Sequence, residues 1–158
     1  MSKSKVIITG GSGFLGKAVN KTLKDNLFYD VVSLGGKRDY DLTNQKQVDY
    51  LYKEHEPDII VHLAAQAGVR YSIDNPAAFV DNNILGFYNI LDASIKFKVK
   101  KLIETEDIQF PISDDEIVER LKKDGINVAR RTVAKYRKVQ NIPASFMRKR
   151  QSKLSGIL

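Results

Sequence analysis

Val6-Ile7-Ile8-Thr9-Gly10-Gly11-Ser12-Gly13-Phe14-Leu15-Gly16 decides the fold of the first part of this 158-residue chain. A short β-branched run ends directly in glycines, and a helical stretch follows through Leu23. Strand, glycine turn and helix N-terminus in that order can cradle a pyrophosphate, because unsatisfied backbone N–H groups and the helix dipole favour an anion there. Gly10 permits the tight turn, Gly13 lets the backbone approach the phosphates, and Gly16 lets helix and strand pack closely. A lone glycine motif is weak evidence. Here strand and helix candidates continue in alternation at 31–34, 45–55, 58–63, 77–94 and 99–103. The pattern predicts an α/β fold over 1–104: a truncated Rossmann parallel sheet of about four strands in the order 3-2-1-4, with 99–103 as the last strand. Such a sheet leaves an outer strand with an open edge, a route to self-association.

The Gly-x-x-Gly-x-x-Gly spacing with Thr9 before it resembles the extended short-chain dehydrogenase/reductase family. Asp41-Leu42 resembles the pair that contacts adenine, and Leu63-Ala64-Ala65 the strand end lining the cofactor. Asn83 with Gly86 resembles the helix that supports the active site. More narrowly, residues 1–65 look like a GDP-fucose synthase type of enzyme, and 61–102, with Gln66-Ala67-Gly68-Val69-Arg70-Tyr71-Ser72, more like a glucuronate epimerase. The resemblance implies a nicotinamide cofactor held by Gly10, Gly13, Phe14, Leu15, Gly16, Asp41, Leu42, Leu63, Ala64 and Ala65. After Val31-Val32-Ser33-Leu34 no acid stands ready for a ribose 2′-hydroxyl, whereas Lys37 and Arg38 would suit a 2′-phosphate, which favours NADP over NAD.

The resembled enzymes also need a Tyr-x-x-x-Lys pair, in which lysine lowers the tyrosine pKa so that it can shuttle a proton. None of the seven tyrosines has a lysine four residues later, and after Ile103 the chain turns to Glu104-Thr105-Glu106-Asp107 where that family carries a serine-rich strand end. No catalytic residue is therefore assigned, and turnover of a nucleotide sugar is not expected. His62, within 59–63, is expected as a hydrogen-bonded core histidine, His55 as a partner of a helix C-terminus, and Arg70 as a surface arginine.

The last third has another character. Ser113-Asp114-Asp115-Glu116 has the form of a capping box, Ile117, Val118 and Leu121 form an apolar stripe, and Gly125 stops that helix. Ala129-Arg130-Arg131-Thr132-Val133-Ala134-Lys135-Tyr136-Arg137-Lys138 follows, with five cations in ten residues. On a helix Arg130, Arg131, Lys135, Arg137 and Lys138 are expected to share one broad face, and Ala129, Val133 and Tyr136 the other. A short helix, a glycine turn and a basic second helix predict a small all-α helix-turn-helix unit over 105–150. The run 129–137 resembles the signature box of the nitrogen-type alternative sigma factors, the RpoN family, and the similarity spans about 101–150. It implies binding of duplex DNA with a GG-containing promoter element, with Arg130, Arg131 and Lys135 as base readers and Thr132 assisting. Arg137, Lys138, Arg148 and Lys149 would rest mainly on phosphates.

Charge divides along the same line. Residues 1–100 are net +2, 101–124 net −4, and 125–158 carry nine Lys and Arg with no acid. A basic end facing a polyanion releases condensed counterions on binding; residues 151–158 are expected as a basic flexible tail. The chain has no cysteine, which excludes disulfides and thiolate zinc sites, and its residues suggest no metal constellation. No signal-peptide core and no 18-residue apolar run is present, so a cytoplasmic location without membrane contact is expected. The resemblance changes at shared strings, at 57–65 between the two nucleotide-sugar enzyme types and at 100–103 between these and the sigma-factor type, which suggests recombination into a chimera. At 99–103 the enzyme and sigma-factor resemblances compete directly, one implying a strand and the other a helix.

Overall fold

A computed structural model describes residues 2–154. It divides into two compact units, Met1–Ala93 and Ser94–Leu158.

In the first unit, β1 (Ser4–Thr9) lies between β2 (Tyr29–Leu34) and β3 (Ile59–His62), all parallel, in the order β2-β1-β3. Ile7 pairs with Val32 on one side and with Ile60 on the other. Val6, Ile7 and Ile8 are buried, as a central parallel strand covered on both faces requires. Helix α1 (Phe14–Lys24) follows β1, and α2 (Gln45–His55) makes the crossover between β2 and β3. Asn44 caps α2, its side chain accepting from the Lys46 N–H, and Val48, Leu51 and Tyr52 form the buried face. The helix ends in a left-handed Glu56 with φ of 46°. After β3 come α3 (Val69–Asp74), α4 (Pro76–Phe79), a π-helical stretch over Val80–Leu85, and the long α5 (Gly86–Glu104).

The sheet has three strands, and the expected fourth is absent among the described residues. Residues 99–103 are helical instead, inside α5. The physical reason is spacing: Ala93, Lys96, Val99 and Ile103 are all buried at intervals of three and four, which lines one face of a helix and not one face of a strand. The alternation of apolar residues through Ile103 is better served by packing Val99 and Ile103 against Ile112, Ile117, Leu121, Val133 and Tyr136.

In the second unit α6 (Asp114–Lys123) opens on a complete capping box. The Ser113 hydroxyl accepts from the Glu116 N–H, and the Glu116 carboxylate accepts from the Ser113 N–H. The helix stops at Gly125, whose φ of 78° suits a residue without a Cβ. The N–H of Ile126 then bonds back to the Leu121 carbonyl. Helix α7 (Arg130–Val139) packs against α6, and α8 (Ser145–Leu154) ends the described chain. Of the expected flexible tail, 151–154 belong to α8, while 155–158 lie outside the described residues. The division between the units falls inside α5.

Candidate functional site

Each unit carries one candidate site. In the first, a cleft of about 400 Å³ opens at the C-terminal ends of β1, β2 and β3, where ligands of open α/β sheets bind. It is lined by Gly10, Ser12 and Gly13 from the first turn and by Gly35, Gly36, Lys37 and Tyr40 after β2. Thr9, Leu34, Leu42, Leu63, Ala64, Ala65, Gln66 and Asn82 complete it. Gly10 has φ of 72°, and a Cβ there would come within 2.7 Å of the Leu63–Ala64 peptide, so only glycine lets this turn touch the end of β3. A Cβ on Gly16 would fall 2.1 Å from the Gly10 carbonyl oxygen; this glycine packs α1 against the turn and does not line the cleft. No side chain caps α1, which leaves its first-turn N–H groups facing outward from Gly13.

Of the residues expected at a cofactor, the cleft gathers Gly10, Gly13, Lys37, Leu42, Leu63, Ala64 and Ala65. Phe14 and Leu15 are highly exposed in the first turn of α1 and line no part of it. Arg38 also lies outside. Asp41 turns its carboxylate onto Thr43, accepting from the hydroxyl at 2.8 Å and from the N–H at 3.0 Å. The Thr43 hydroxyl above all holds this carboxyl below the ordinary range. Sequence reasoning missed Ser12, Tyr40 and Gln66. Ser12 donates to the Gly35 carbonyl, the Asp39 carboxylate accepts from the Gly35 N–H, and Gln66 is held through its backbone by both ends of the Asn83 amide. Loop contacts of this kind leave no periodic mark in a sequence. Asn83 thus holds Gln66 at the cleft, and a Cβ added to Gly86 would come into ordinary contact with Leu42 at 3.6 Å.

Tyr40 donates its hydroxyl to the Glu54 carboxylate, and its pKa is pushed up to about 12 by burial first and the carboxylate second. It is therefore held as a neutral hydrogen-bond donor. His62 is half-buried, with Nδ1 2.7 Å from the Thr9 hydroxyl and its ring 5.9 Å from that of Phe87. Burial pushes its pKa down, so it is a satisfied, neutral histidine at pH 7. Arg70 is exposed.

The second unit holds the basic face. Arg130, Arg131, Lys135 and Lys138 are exposed on α7, Thr132 is half-buried, and Val133 and Tyr136 are buried. Arg131 and Lys138 make no ion pair with the described residues. The Lys135 ammonium sits 5.9 Å over the Tyr136 ring, and Arg130 pairs with Asp115 at 3.1 Å. Two cations expected on phosphates are placed otherwise. Arg137 is 6% exposed and grips Asp114 with both arms of its guanidinium, at 2.9 and 3.0 Å. Arg148 grips Glu106 in the same way at 2.7 Å, and donates further to the carbonyls of Pro143 and Ile112. For Arg137 the reason lies in the helical wheel: it stands four residues after Val133, nearly above it, and so follows the buried stripe inward. Lys149 stays exposed, over the Phe110 ring. The acids that capture the two arginines lie 23 and 42 residues away in sequence, beyond any local pattern.

Among the described residues no group of acids and histidines could hold a metal, and no helix is long and apolar enough to cross a membrane.

Comparison with known proteins follows the same division. Residues 6–105 match the model of the NAD dependent epimerase/dehydratase family. The chain belongs to this family. Residues 88–150 match the Sigma-54 DNA binding domain, so the chain is a chimera of the two, and the matches overlap within α5 and Thr105. The epimerase-type segment is similar to a dTDP-4-dehydrorhamnose reductase from Bacillus anthracis solved with NADP, with 33% identity and a TM-score of 0.58. That likeness covers 61% of this chain and 34% of the reductase. It is also similar to a UDP-glucose 4-epimerase from Thermus thermophilus solved with NAD, at 31% identity and a TM-score of 0.50, covering 59% of this chain and 34% of the epimerase. The second segment is similar to the RNA polymerase sigma-54 factor of Azorhizobium caulinodans, 50% identical over 58 residues, which is 37% of this chain and 11% of that factor. The chain spans 36% to 47% of the length of the first curated relatives it matches.

Proposed function

We propose that the second unit binds duplex DNA as a helix-turn-helix, with α7 in the major groove of a GG-containing promoter element. The observation that carries this is the division of α7: Val133 and Tyr136 are buried in the unit, while Arg131, Lys135 and Lys138 face solvent with no acid on the same helix. The match to a Sigma-54 DNA binding domain supports it. Arg131 and Lys135, one turn apart on the exposed face, are the base readers, with Arg130 at the helix start and Thr132 beside them. Lys138 and Lys149 meet phosphates. Arg137 and Arg148 leave the contact set, since each guanidinium is turned inward onto a carboxylate and backbone carbonyls. Fluorescence anisotropy with a GG-containing duplex and a GG-disrupted control, each at two salt concentrations, tests the proposal. Tighter binding of the intact element with a salt-dependent slope is expected; equal, weak binding to both would reduce α7 to an electrostatic surface.

A second activity, nicotinamide dinucleotide binding in the first unit, is favoured by the cleft. The residues fit such a group: Gly10, Ser12 and Gly13 line the cleft without a bulky side chain, and the uncapped first turn of α1 beside them has N–H groups that a diphosphate would accept from. A bound nicotinamide supplies hydride transfer. This chain's own contribution is binding, with Leu42, Leu63 and Ala64 as apolar walls and Lys37, exposed and 3.9 Å from Asp41, near a 2′-phosphate. That lysine favours NADP over NAD. Calorimetric titration with the two cofactors tests it: tighter binding of NADP, lost in Lys37→Ala, is the expected result, and equal affinity for both removes the preference.

A further inference from the structure

The first turn of α6 holds three consecutive acids, and each has a different partner. Glu116 closes the capping box on Ser113, Asp115 pairs with Arg130, and Asp114 pairs with Arg137. Arg130 is the first residue of α7 and Arg137 lies in its last turn, so two adjacent carboxylates grip α7 at points seven residues apart. A single contact leaves a helix free to swing; two contacts two turns apart set its direction. The two grips are unequal. Arg130 and Asp115 are both about two-thirds exposed, a pair that water and salt weaken. The Arg137 and Asp114 side chains are 7% and 13% exposed, and the third arm of the same guanidinium donates to the Ile142 carbonyl at 2.9 Å, beyond the end of α7.

A buried pair of this kind gains little over a well-packed apolar pair of equal volume, but it accepts only one geometry. Two N–H donors in a rigid fork must meet two carboxylate oxygens in plane. We propose that Asp114 and Arg137 are positioning residues that fix the angle of α7 on α6, and thereby aim Arg131 and Lys135 at the groove, without touching DNA themselves. This inference rests on the DNA-binding reading of α7.

The test uses the full chain and the variant Asp114→Leu/Arg137→Met, which replaces the pair with apolar side chains of similar size. Residual dipolar couplings of the α6 and α7 amides report the angle between these helices without DNA, and anisotropy on the two duplexes reports discrimination. The expected result is a folded variant with altered α7 couplings, a GG preference reduced about ten-fold, and an unchanged salt slope. Unchanged couplings with preference retained would overturn the proposal. So would an equal loss on both duplexes with the slope lowered by about one, the mark of a lost phosphate contact. If the apolar pair does not fold, Arg137→Lys, which keeps the charge and loses the fork, is measured in the same way. If the unaltered chain does not discriminate the duplexes, the DNA-binding reading fails, and the couplings alone decide whether the pair positions α7.

Discussion

The two units solve the problem of a small core in opposite ways. The first relies on backbone: a three-stranded parallel sheet, a turn with no room for a Cβ at Gly10 or Gly16, and the helices that follow its strands. Beyond β3 it leaves many apolar side chains exposed, including Val69, Ile73, Val80, Ile84, Phe87 and Leu91. The second unit is smaller, yet it closes its core around Val99, Ile117, Leu121 and Val133 and locks the surround with two largely buried arginine–carboxylate forks. The lesson is that cations counted as a nucleic-acid surface from composition serve two purposes. Some build the platform, and the others use it.

The contrast is sharpest at Glu106. Glu106→Ala should destabilise the second unit by about 3–5 kcal/mol, because Arg148 is left buried without its charge partner. Urea denaturation with hydrogen exchange resolved along the chain measures it, and a loss below about 1 kcal/mol would show the fork to be incidental. The matching break in the first unit is backbone. Gly16→Ala places a Cβ against the Gly10 carbonyl and should cost roughly 1–3 kcal/mol there while abolishing any dinucleotide binding. Retained NADP affinity in calorimetry would count against the glycine turn as a phosphate cradle.

On the DNA face, Arg131→Ala should cost about 1–3 kcal/mol on the GG duplex and relax the preference for it, whereas Lys149→Ala should lower the salt slope by about one on every sequence. Equal loss on both duplexes for Arg131→Ala would end its role as a reader. Acid should also separate the units. Asp114 titrates below its ordinary range, mainly through its hydrogen bonds from Arg137. Its folded pKa lies below the unfolded one, so its contribution is present above the unfolded value of about 3.9 and is lost as pH falls through the folded pKa. A helical unit that gains stability on acidification below about 4, followed by circular dichroism, would contradict this sign. The smallest effect belongs to the exposed pair: Asp115→Asn should change thermal stability by no more than about 0.5 kcal/mol, since its attraction to Arg130 is screened.

Much of this was legible from residue spacing. The glycine turn, α2 over Gln45–His55, the capping box and the glycine stop are local devices, each written in fewer than a dozen neighbouring residues, and each stands where the spacing put it. Val99 to Ile103 misled because five residues with apolar ends satisfy either period. Only the longer stripe from Asn89 to Ile103 separates helix from strand. Arg137 misled for the opposite reason. Its position above Val133 was visible, but a charged residue is assigned to water until its partner is known, and Asp114 becomes a neighbour only through folding. The same holds for Arg148 and Glu106. In the cleft, Leu42 and Leu63 to Ala65 were legible by resemblance, while Ser12, Tyr40 and Gln66 arrive through loops whose contacts have no period.

Helix α5 carries a consequence of its own. Its buried positions, Gly86, Asn89, Ile90, Ala93, Lys96, Val99 and Ile103, succeed one another at helical intervals without interruption, from Asn89 bonded to the Leu42 carbonyl to Ile103 in the second core. The overlap of the two family matches falls on this stretch. Within the second unit the stripe through Lys96, Val99 and Ile103 is a constraint on length as well as on residue type, because one residue added between Lys96 and Val99 would turn the later positions by about 100° around the helix axis, away from the face they share. An insertion there is a packing change before it is a change of sequence.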